Sequence, residues 1–144
     1  MSKLVVAEIE DAAGSNPYSV TLGTEAAHGG GASRTLTDIP SGVKKVTVMI
    51  EQLSTNGTSL PLLRIGPSGG VVSSGYDCDA GALGNSYANS TAGFLLRDND
   101  SAERISGHFI LTLEDASANT WTCSHSMITS VVAGQQYIGA GAKS

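Results

Sequence analysis

Apolar and polar residues alternate in three stretches beyond residue 40. Each alternation predicts a β-strand, because successive side chains of a strand point to opposite faces. The stretches are 43–53, 105–113 and 120–128. Six residues on the predicted buried faces of the first two are expected to anchor the core: Val46, Val48, Ile50, Phe109, Leu111 and Leu113. Trp121, the only tryptophan, begins the third stretch and is also expected to anchor the core.

Turn signals separate these stretches. Asn56-Gly57 follows the first, and this pair tolerates the positive φ that a type I′ turn requires, so it predicts a hairpin with 60–65 as the returning strand. Pro61 lacks an N–H and is expected at the start of that strand or on a sheet edge. Residues 114–119 form a turn between the second and third stretches, which therefore predict an antiparallel hairpin.

The remaining segments give weaker signals. Residues 71–76 and 94–96 predict short strands, whereas the polar, Gly-rich stretch 77–90 predicts a long loop. Residues 131–132 and 137–138 are apolar fragments, and 139–144 has no ordering force of its own. No segment shows a 3.6-residue stripe. About seven short strands predict an all-β fold, an antiparallel β-sandwich or a jelly-roll-like domain.

The first 38 residues differ from the rest and hold too little apolar material to fold alone. They predict an extended N-terminal arm at 1–38, ahead of a β-sandwich module at 39–144. The apolar positions expected to contact an assembly partner are Leu4, Val6, Ile9, Tyr18, Val20 and Leu22. The alternative left open is that residues 4–9 add an edge strand to the module.

Charge and composition exclude several classes of function. The net charge is -5 and the eight basic residues are scattered, so a nucleic-acid partner is not expected. No run of about 18 apolar residues is present, so no membrane span is expected. The start of the chain lacks the features of a secretory signal. The two cysteines do not form a disulfide framework, and both are expected to be reduced in the cytosol.

Two groups of residues were weighed as metal sites. Cys123 and His125 share a strand face, and Cys78 and His108 complete a four-ligand set for zinc. His108 is predicted on the opposite face and Cys78 in a loop, so a packing role for Cys123 is favoured. The acidic stretch 98–103 offers oxygen ligands for calcium but lacks EF-hand spacing. No metal and no cofactor are expected.

No catalytic signature is complete in this sequence. Gly66-Pro67-Ser68-Gly69-Gly70 fits the letters Gly-x-Ser-x-Gly, but it is predicted as a turn between strands with no helix after it, so it is not a nucleophile elbow. The neighbours in Ser124-His125-Ser126 point to opposite faces of a strand, so they form no dyad. Acidic residues are present without the paired context that sugar hydrolysis needs. The sequence therefore predicts a protein that is not an enzyme. For Trp121, sugar stacking is the alternative to a core role.

Several short motifs follow one another in order beyond residue 38. They are Ile39-Pro40-Ser41-Gly42-Val43, Asn56-Gly57-Thr58-Ser59, Gly66-Pro67-Ser68-Gly69-Gly70, Ser90-Thr91-Ala92-Gly93-Phe94, Gly107-His108-Phe109-Ile110 and Asn119-Thr120-Trp121. In this order the segments from 39 to 129 resemble a β-module of tailed-bacteriophage virion proteins, often found at the ends of tail-fibre-like chains. The resemblance implies a homotrimer. The family module runs on into further strands, so a neighbouring subunit completes the fold or the chain is a shortened variant.

The resemblance implies a place on the virion surface after assembly in the host cytoplasm. Fibre proteins carry a long shaft before the module, whereas 38 residues precede Ile39 here. We therefore expect a trimeric capsid decoration (cement) protein, anchored by its arm to the major capsid protein. The alternative is a receptor-binding tip or short tail appendage that contacts tail proteins and host glycan, chiefly through 77–90. An enzyme such as a depolymerase ranks third.

Overall fold

The computed structural model describes residues 21–25, 27, 31–37, 39–55, 59–85, 87–97, 104–129 and 135–144. By its contacts the chain divides into Met1–Ile39 and Pro40–Ser144. All eight strands belong to the second unit. The arm predicted at 1–38 lies mostly outside the described residues and stays a prediction. Among the described residues, no helix is long and apolar enough to cross a membrane.

Two antiparallel sheets make up the second unit. The strands are β1 (Lys45–Leu53), β2 (Leu62–Leu63), β3 (Tyr76–Ala82), β4 (Tyr87–Ser90), β5 (Phe94–Leu95), β6 (Ile105–Asp115), β7 (Thr120–Thr129) and β8 (Gln136–Lys143). Six of them form one sheet in the order β1-β6-β7-β8-β3-β4, and β2 pairs with β5 in a small second sheet. The predicted all-β class is confirmed, and the two sheets are consistent with a β-sandwich.

The three alternating stretches become β1, β6 and β7, the longest strands described. β6 and β7 pair antiparallel from Ile105↔Thr129 to Asp115↔Thr120, which confirms the predicted hairpin. The Asp115 carboxylate accepts hydrogen bonds from the Ser117 N–H at 2.7 Å and the Ala118 N–H at 3.3 Å. The Ser117 hydroxyl also donates to this carboxylate at 2.7 Å, and this bond, followed by the two N–H bonds, holds the pKa of Asp115 below its usual range. The N–H bonds close the turn in the manner of an Asx turn.

The hairpin predicted at Asn56-Gly57 is wrong in its pairing. β1 pairs with β6, with Val46 opposite Leu111. The stretch 60–65 contributes only the two residues of β2, which pair with β5. Residues 56–58 lie outside the described residues. A long apolar face on β6 offers β1 seven residue pairs, whereas β2 is too short to compete for it.

The assignments at 71–76 and 77–90 are also wrong. The strand begins at Tyr76, where 71–76 was expected to end, and 77–90 contains most of β3 and all of β4. Alternation is present in β3, with Tyr76 and Cys78 buried and Asp77 exposed. After Tyr76 the buried positions of β3 hold only small residues, so a hydrophobic count does not distinguish them from loop residues.

The expectation that 139–144 lacks order is wrong as well. These residues form most of β8, which lies between β7 and β3 inside the sheet. Gly139 is opposite His125 of β7 and Ala80 of β3. A Cβ on Gly139 would overlap His125 Nε2 and lie 2.7 Å from the Asp79 carbonyl oxygen. β8 is therefore ordered by the close approach of its neighbours.

A row of rings fills the inner face of the large sheet. Tyr76 meets Phe94 edge-on with ring centroids 4.9 Å apart. Phe94 lies 5.8 Å from Phe109, and Phe109 stacks on His125 at 4.9 Å. Because Phe94 belongs to β5, this row packs the small sheet onto the large one.

We expect Tyr76→Phe to lower the free energy of unfolding by about 1–3 kcal/mol. The Tyr76 hydroxyl lies 3.0 Å from the Ile65 N–H, 3.1 Å from the Ile65 carbonyl and 3.0 Å from the Val72 carbonyl. Its loss removes this partner from the Ile65 N–H and the Val72 carbonyl, in the segment between β2 and β3. Urea unfolding measures the loss, with Tyr87→Phe as the control, because Tyr87 is exposed. Equal stability of both variants would contradict this role.

Candidate functional site

The outer face of the six-stranded sheet exposes an ordered set of side chains. One cross-strand row runs through all six strands: Met49, His108, Ser126, Ile138, Gly81 and Tyr87. Met49 is 75% exposed, Tyr87 63% and Ile138 38%. The face thus presents large apolar side chains to solvent, separated by small and hydroxyl-bearing residues.

The neighbouring rows have the same character. Ile128 of β7 is 54% exposed beside this row. Ser124 and Ala140 lie opposite each other in the next row, and Thr122 and Ala142 in the one after it. Small side chains leave the β7 and β8 part of this face flat, and its exposed charged residues include Lys45 of β1 and Asp77 and Asp79 of β3. Such a surface suits contact by area with another protein.

A shallow depression of about 430 Å³ lies on this face across β6, β7 and the start of β8. Its lining includes Ser106, His108, Ile128 and Gln136. The Gln136 amide donates to Ser126 Oγ at 3.0 Å. Among the described lining residues, His108 alone carries a titratable group, so these residues bring together no acid–base pair.

β1 and β4 form the two edges of the large sheet. β1 has nine residues, whereas β4 has four. A bulge ends the regular part of β1, where Ile50 pairs with Gly107 but Leu53 pairs with Ile105. Gln52 there has φ 56, and its N–H donates to Ser106 Oγ at 3.0 Å. The regular edge available to a partner strand therefore runs from Lys45 to Ile50, and Glu51 follows it directly.

The inner face carries a buried imidazole. His125 is 5% exposed, and neither ring nitrogen has a hydrogen-bond partner among the described residues. Burial lowers its pKa to about 4, while the main chain of Leu95 opposes this shift and the nearby His108 adds to it. His125 is therefore neutral at pH 7.

The two cysteines face each other across β8. Cys78 of β3 and Cys123 of β7 both lie opposite Gly141, and both are buried, free thiols. The pKa of Cys78 is lowered, because Cys123 donates a hydrogen bond to its sulfur and the Leu95 N–H approaches it at 3.2 Å. The same hydrogen bond, together with burial, raises the pKa of Cys123.

The zinc ligands considered from the sequence do not come together. Cys78, Cys123 and His125 lie on the inner face, and Cys78 is on a strand where a loop was expected. His108 is exposed on the outer face. Among the described residues, no three His, Cys, Asp or Glu side chains are placed to hold a metal ion. The calcium candidates at 98–100 and Glu103 lie outside the described residues.

The predicted core anchors occupy different depths. Phe109 and Leu111 are fully buried, whereas Leu113 is partly buried. The three β1 anchors are partly buried and pack against the core: Val46, Val48 and Ile50. Trp121 also packs there, partly buried, and its indole N–H donates to Asn119 Oδ1 at 3.0 Å.

Five of the predicted arm residues lie outside the described part of the chain: Leu4, Val6, Ile9, Tyr18 and Val20. The sixth, Leu22, is 90% exposed.

Sequence reasoning missed Arg97, which follows β5 and is 1% exposed. Its guanidinium donates to Thr55 Oγ1 at 3.4 Å. A buried arginine joins the end of β5 to the segment after β1. The sequence signal for burial of Arg97 is the apolar run 94–96 directly before it, because that run leads the chain into the core.

No family model, no curated protein and no solved structure matches this chain. The fold and the surface define a class only: an all-β module with a flat, apolar outer sheet face and an open edge strand.

Proposed function

We propose that this chain is a non-enzymatic structural protein on the exterior of a tailed-phage virion, and that it decorates the capsid. One observation carries the proposal: the outer face presents Met49, Ile128, Ile138 and Tyr87 to solvent. Large apolar side chains grouped on one face are a feature of surfaces that bind another protein. The motif series between residues 39 and 129, with its resemblance to virion modules, supplies the setting.

The outer sheet face suits a broad contact with another protein and not binding in a pocket. The exposed groups spread over a sheet of six strands, and small residues between them let a partner surface approach closely. Stable protein contacts bury about 800 Å² on each partner, and a sheet face of this width provides surface on that scale. The proposed partner is the major capsid protein.

The rest of the assembly is part of the same proposal. Three copies form a homotrimer, and the arm at 1–38 of each copy lies along neighbouring capsid subunits. An extended segment gains main-chain hydrogen bonds by adding to a sheet edge. Three arms on one trimer add avidity without any new kind of contact.

Quantitative mass spectrometry of purified virions tests the proposal. Decoration predicts a copy number in fixed ratio to the major capsid protein, with antibody label over the head. A copy number that matches the tail fibres supports the alternative function below. Particles that lack the protein overturn both.

A charged outer face should weaken attachment. We expect Ile128→Asp with Ile138→Asp to reduce capsid binding at least tenfold, because two carboxylates would have to be desolvated in the contact. Val71→Asp is the matched control, since Val71 is 55% exposed and lies outside the strands. Circular dichroism checks that each variant is folded. Unchanged binding by the double variant would contradict use of this face.

A second candidate function is a receptor-binding tip. Tyr87 is 63% exposed on edge strand β4, and Asn89 and Asp79, paired across β4 and β3, are exposed on the same face. An exposed ring beside an amide and a carboxylate suits a sugar. A glycan array with wild type and Tyr87→Ala tests this function. Binding that Tyr87→Ala abolishes would favour it, and no signal from folded protein would count against it.

A further inference from the structure

The open edge of β1 has a defined hydrogen-bonding pattern. The Leu113 N–H donates to the Lys44 carbonyl at 2.8 Å, and residue 45 pairs with Thr112. In an antiparallel pair, directly opposed residues alternate between bonded and non-bonded pairs. The main-chain groups of Val46 and Val48 therefore point to β6. Those of Lys45, Thr47 and Met49 point away from β6, to the edge.

The residues of this edge are complementary to a second copy of themselves. Consider two β1 strands that pair antiparallel with Val48 opposite Val48. Each residue then lies opposite the residue of the other copy that is equally far from Val48 on the other side. Lys45 then faces Glu51 twice, and Thr47 faces Met49 twice. Lys45, Thr47 and Met49 carry outward main-chain groups, so the register that pairs the charges also pairs the hydrogen bonds of Thr47 with those of Met49.

Both faces of the paired strands fit this register. On the inner face Val46 lies opposite Ile50, and these residues pack partly buried against the core, so pairing would extend that core. On the outer face Met49, 75% exposed, gains a neighbour in Thr47 of the other copy. A shift by one residue would lose the charge pairs and place apolar residues opposite polar ones.

We infer that β1 is a self-association edge, at which two copies join antiparallel about a twofold axis at Val48 into one continuous sheet. The partner is a second copy of this chain. Opposite charges at both ends of the regular edge select it, and the bulge at Gln52 limits its length. β4, with four residues, offers a shorter edge.

This contact does not depend on the proposed function, and it makes a distinct statement about stoichiometry. A twofold contact joins copies in pairs. If trimers form through another surface, three such contacts join two trimers into a hexamer. The assembly that contains this edge contact therefore has an even number of chains.

Charge reversal tests the inference in solution. Lys45→Glu places two carboxylates opposite each other at both ends of the contact, and Glu51→Lys does the same with two ammonium groups. We expect either variant at low salt to weaken the contact roughly 10- to 100-fold and halve the mass in sedimentation equilibrium. Both positions are exposed, so each variant should keep the fold.

Mixing the two variants is the decisive experiment. A Lys45→Glu chain and a Glu51→Lys chain present opposite charges at both ends, so the mixture should regain the even assembly as a heteromer. The double variant K45E/E51K should associate like wild type. A wild type that is only monomer or trimer overturns the inference, as does a mixture that stays at half mass. Absence from virions would overturn the proposed function and leave these results unaffected.

Discussion

Gly139→Ala is expected to destabilise the protein by about 2–4 kcal/mol, a large share of the stability of a small domain. The added Cβ would lie 2.7 Å from the Asp79 carbonyl oxygen and 2.9 Å from the Ala80 Cβ, and it would overlap His125 Nε2. The imidazole can rotate, but the Asp79 carbonyl belongs to the main chain of β3. β8 would therefore have to move away from β3, which breaks the centre of the sheet.

Urea unfolding followed by circular dichroism measures this loss. Ala140→Ser is the matched control, because Ala140 is the next residue of β8 and is exposed on the outer face. Its effect should stay within about 0.5 kcal/mol. A Gly139→Ala protein as stable as the control would mean that β8 does not lie between β7 and β3.

Acid should destabilise the protein through His125. The folded-state pKa is lowered from 6.5 to about 4 by burial, so the unfolded chain binds a proton that the folded chain resists. The stability that His125 contributes is complete above about pH 6.5 and is lost as the pH falls toward 4. The loss is about 3 kcal/mol, from 1.36 kcal/mol for each pKa unit. Phe109 stacks on this ring and offers no charge to stabilise the imidazolium.

Comparison with a variant isolates this effect from the carboxylates, which titrate in the same range. His125→Leu should show a shallower dependence of unfolding free energy on pH between 6.5 and 4.5. His108→Asn is the control and should keep most of the wild-type slope, because burial is the main cause of the lowered His125 pKa and His108 a smaller one. Equal slopes for wild type and His125→Leu would contradict burial of a neutral imidazole at this position.

The strands that the sequence predicts correctly are those with large apolar residues at alternate positions. In β6, Phe109 and Leu111 mark the buried face, and in β7 Met127 does the same. β3 and β8 alternate as well, but apart from Tyr76 and Tyr137 their inward positions hold mainly Cys, Ala and Gly. Whether these positions are buried depends on the side chains of the neighbouring strands, as at Gly139. The local sequence pattern does not contain that information.

Strand pairing is the second feature that the sequence does not predict. Asn56-Gly57 is a local signal, whereas the pairing of β1 with β6 joins residues more than fifty positions apart, such as Ile50 and Gly107. The outward direction of His108 could be read from alternation. The row it forms with Ile138 and Tyr87 depends on the strand order, so the outer face could not be assembled from the sequence.

Amide hydrogen exchange at β1 tests most directly whether the exposed edge of the sheet pairs with a second copy of the chain. The N–H groups of Val46 and Val48 point to β6, and those of Thr47 and Met49 point to the edge. In concentrated wild-type protein we predict slow exchange at all four positions, with Thr47 and Met49 alone becoming fast in Lys45→Glu. Fast exchange at Thr47 and Met49 in wild type at every concentration would contradict the self-association edge.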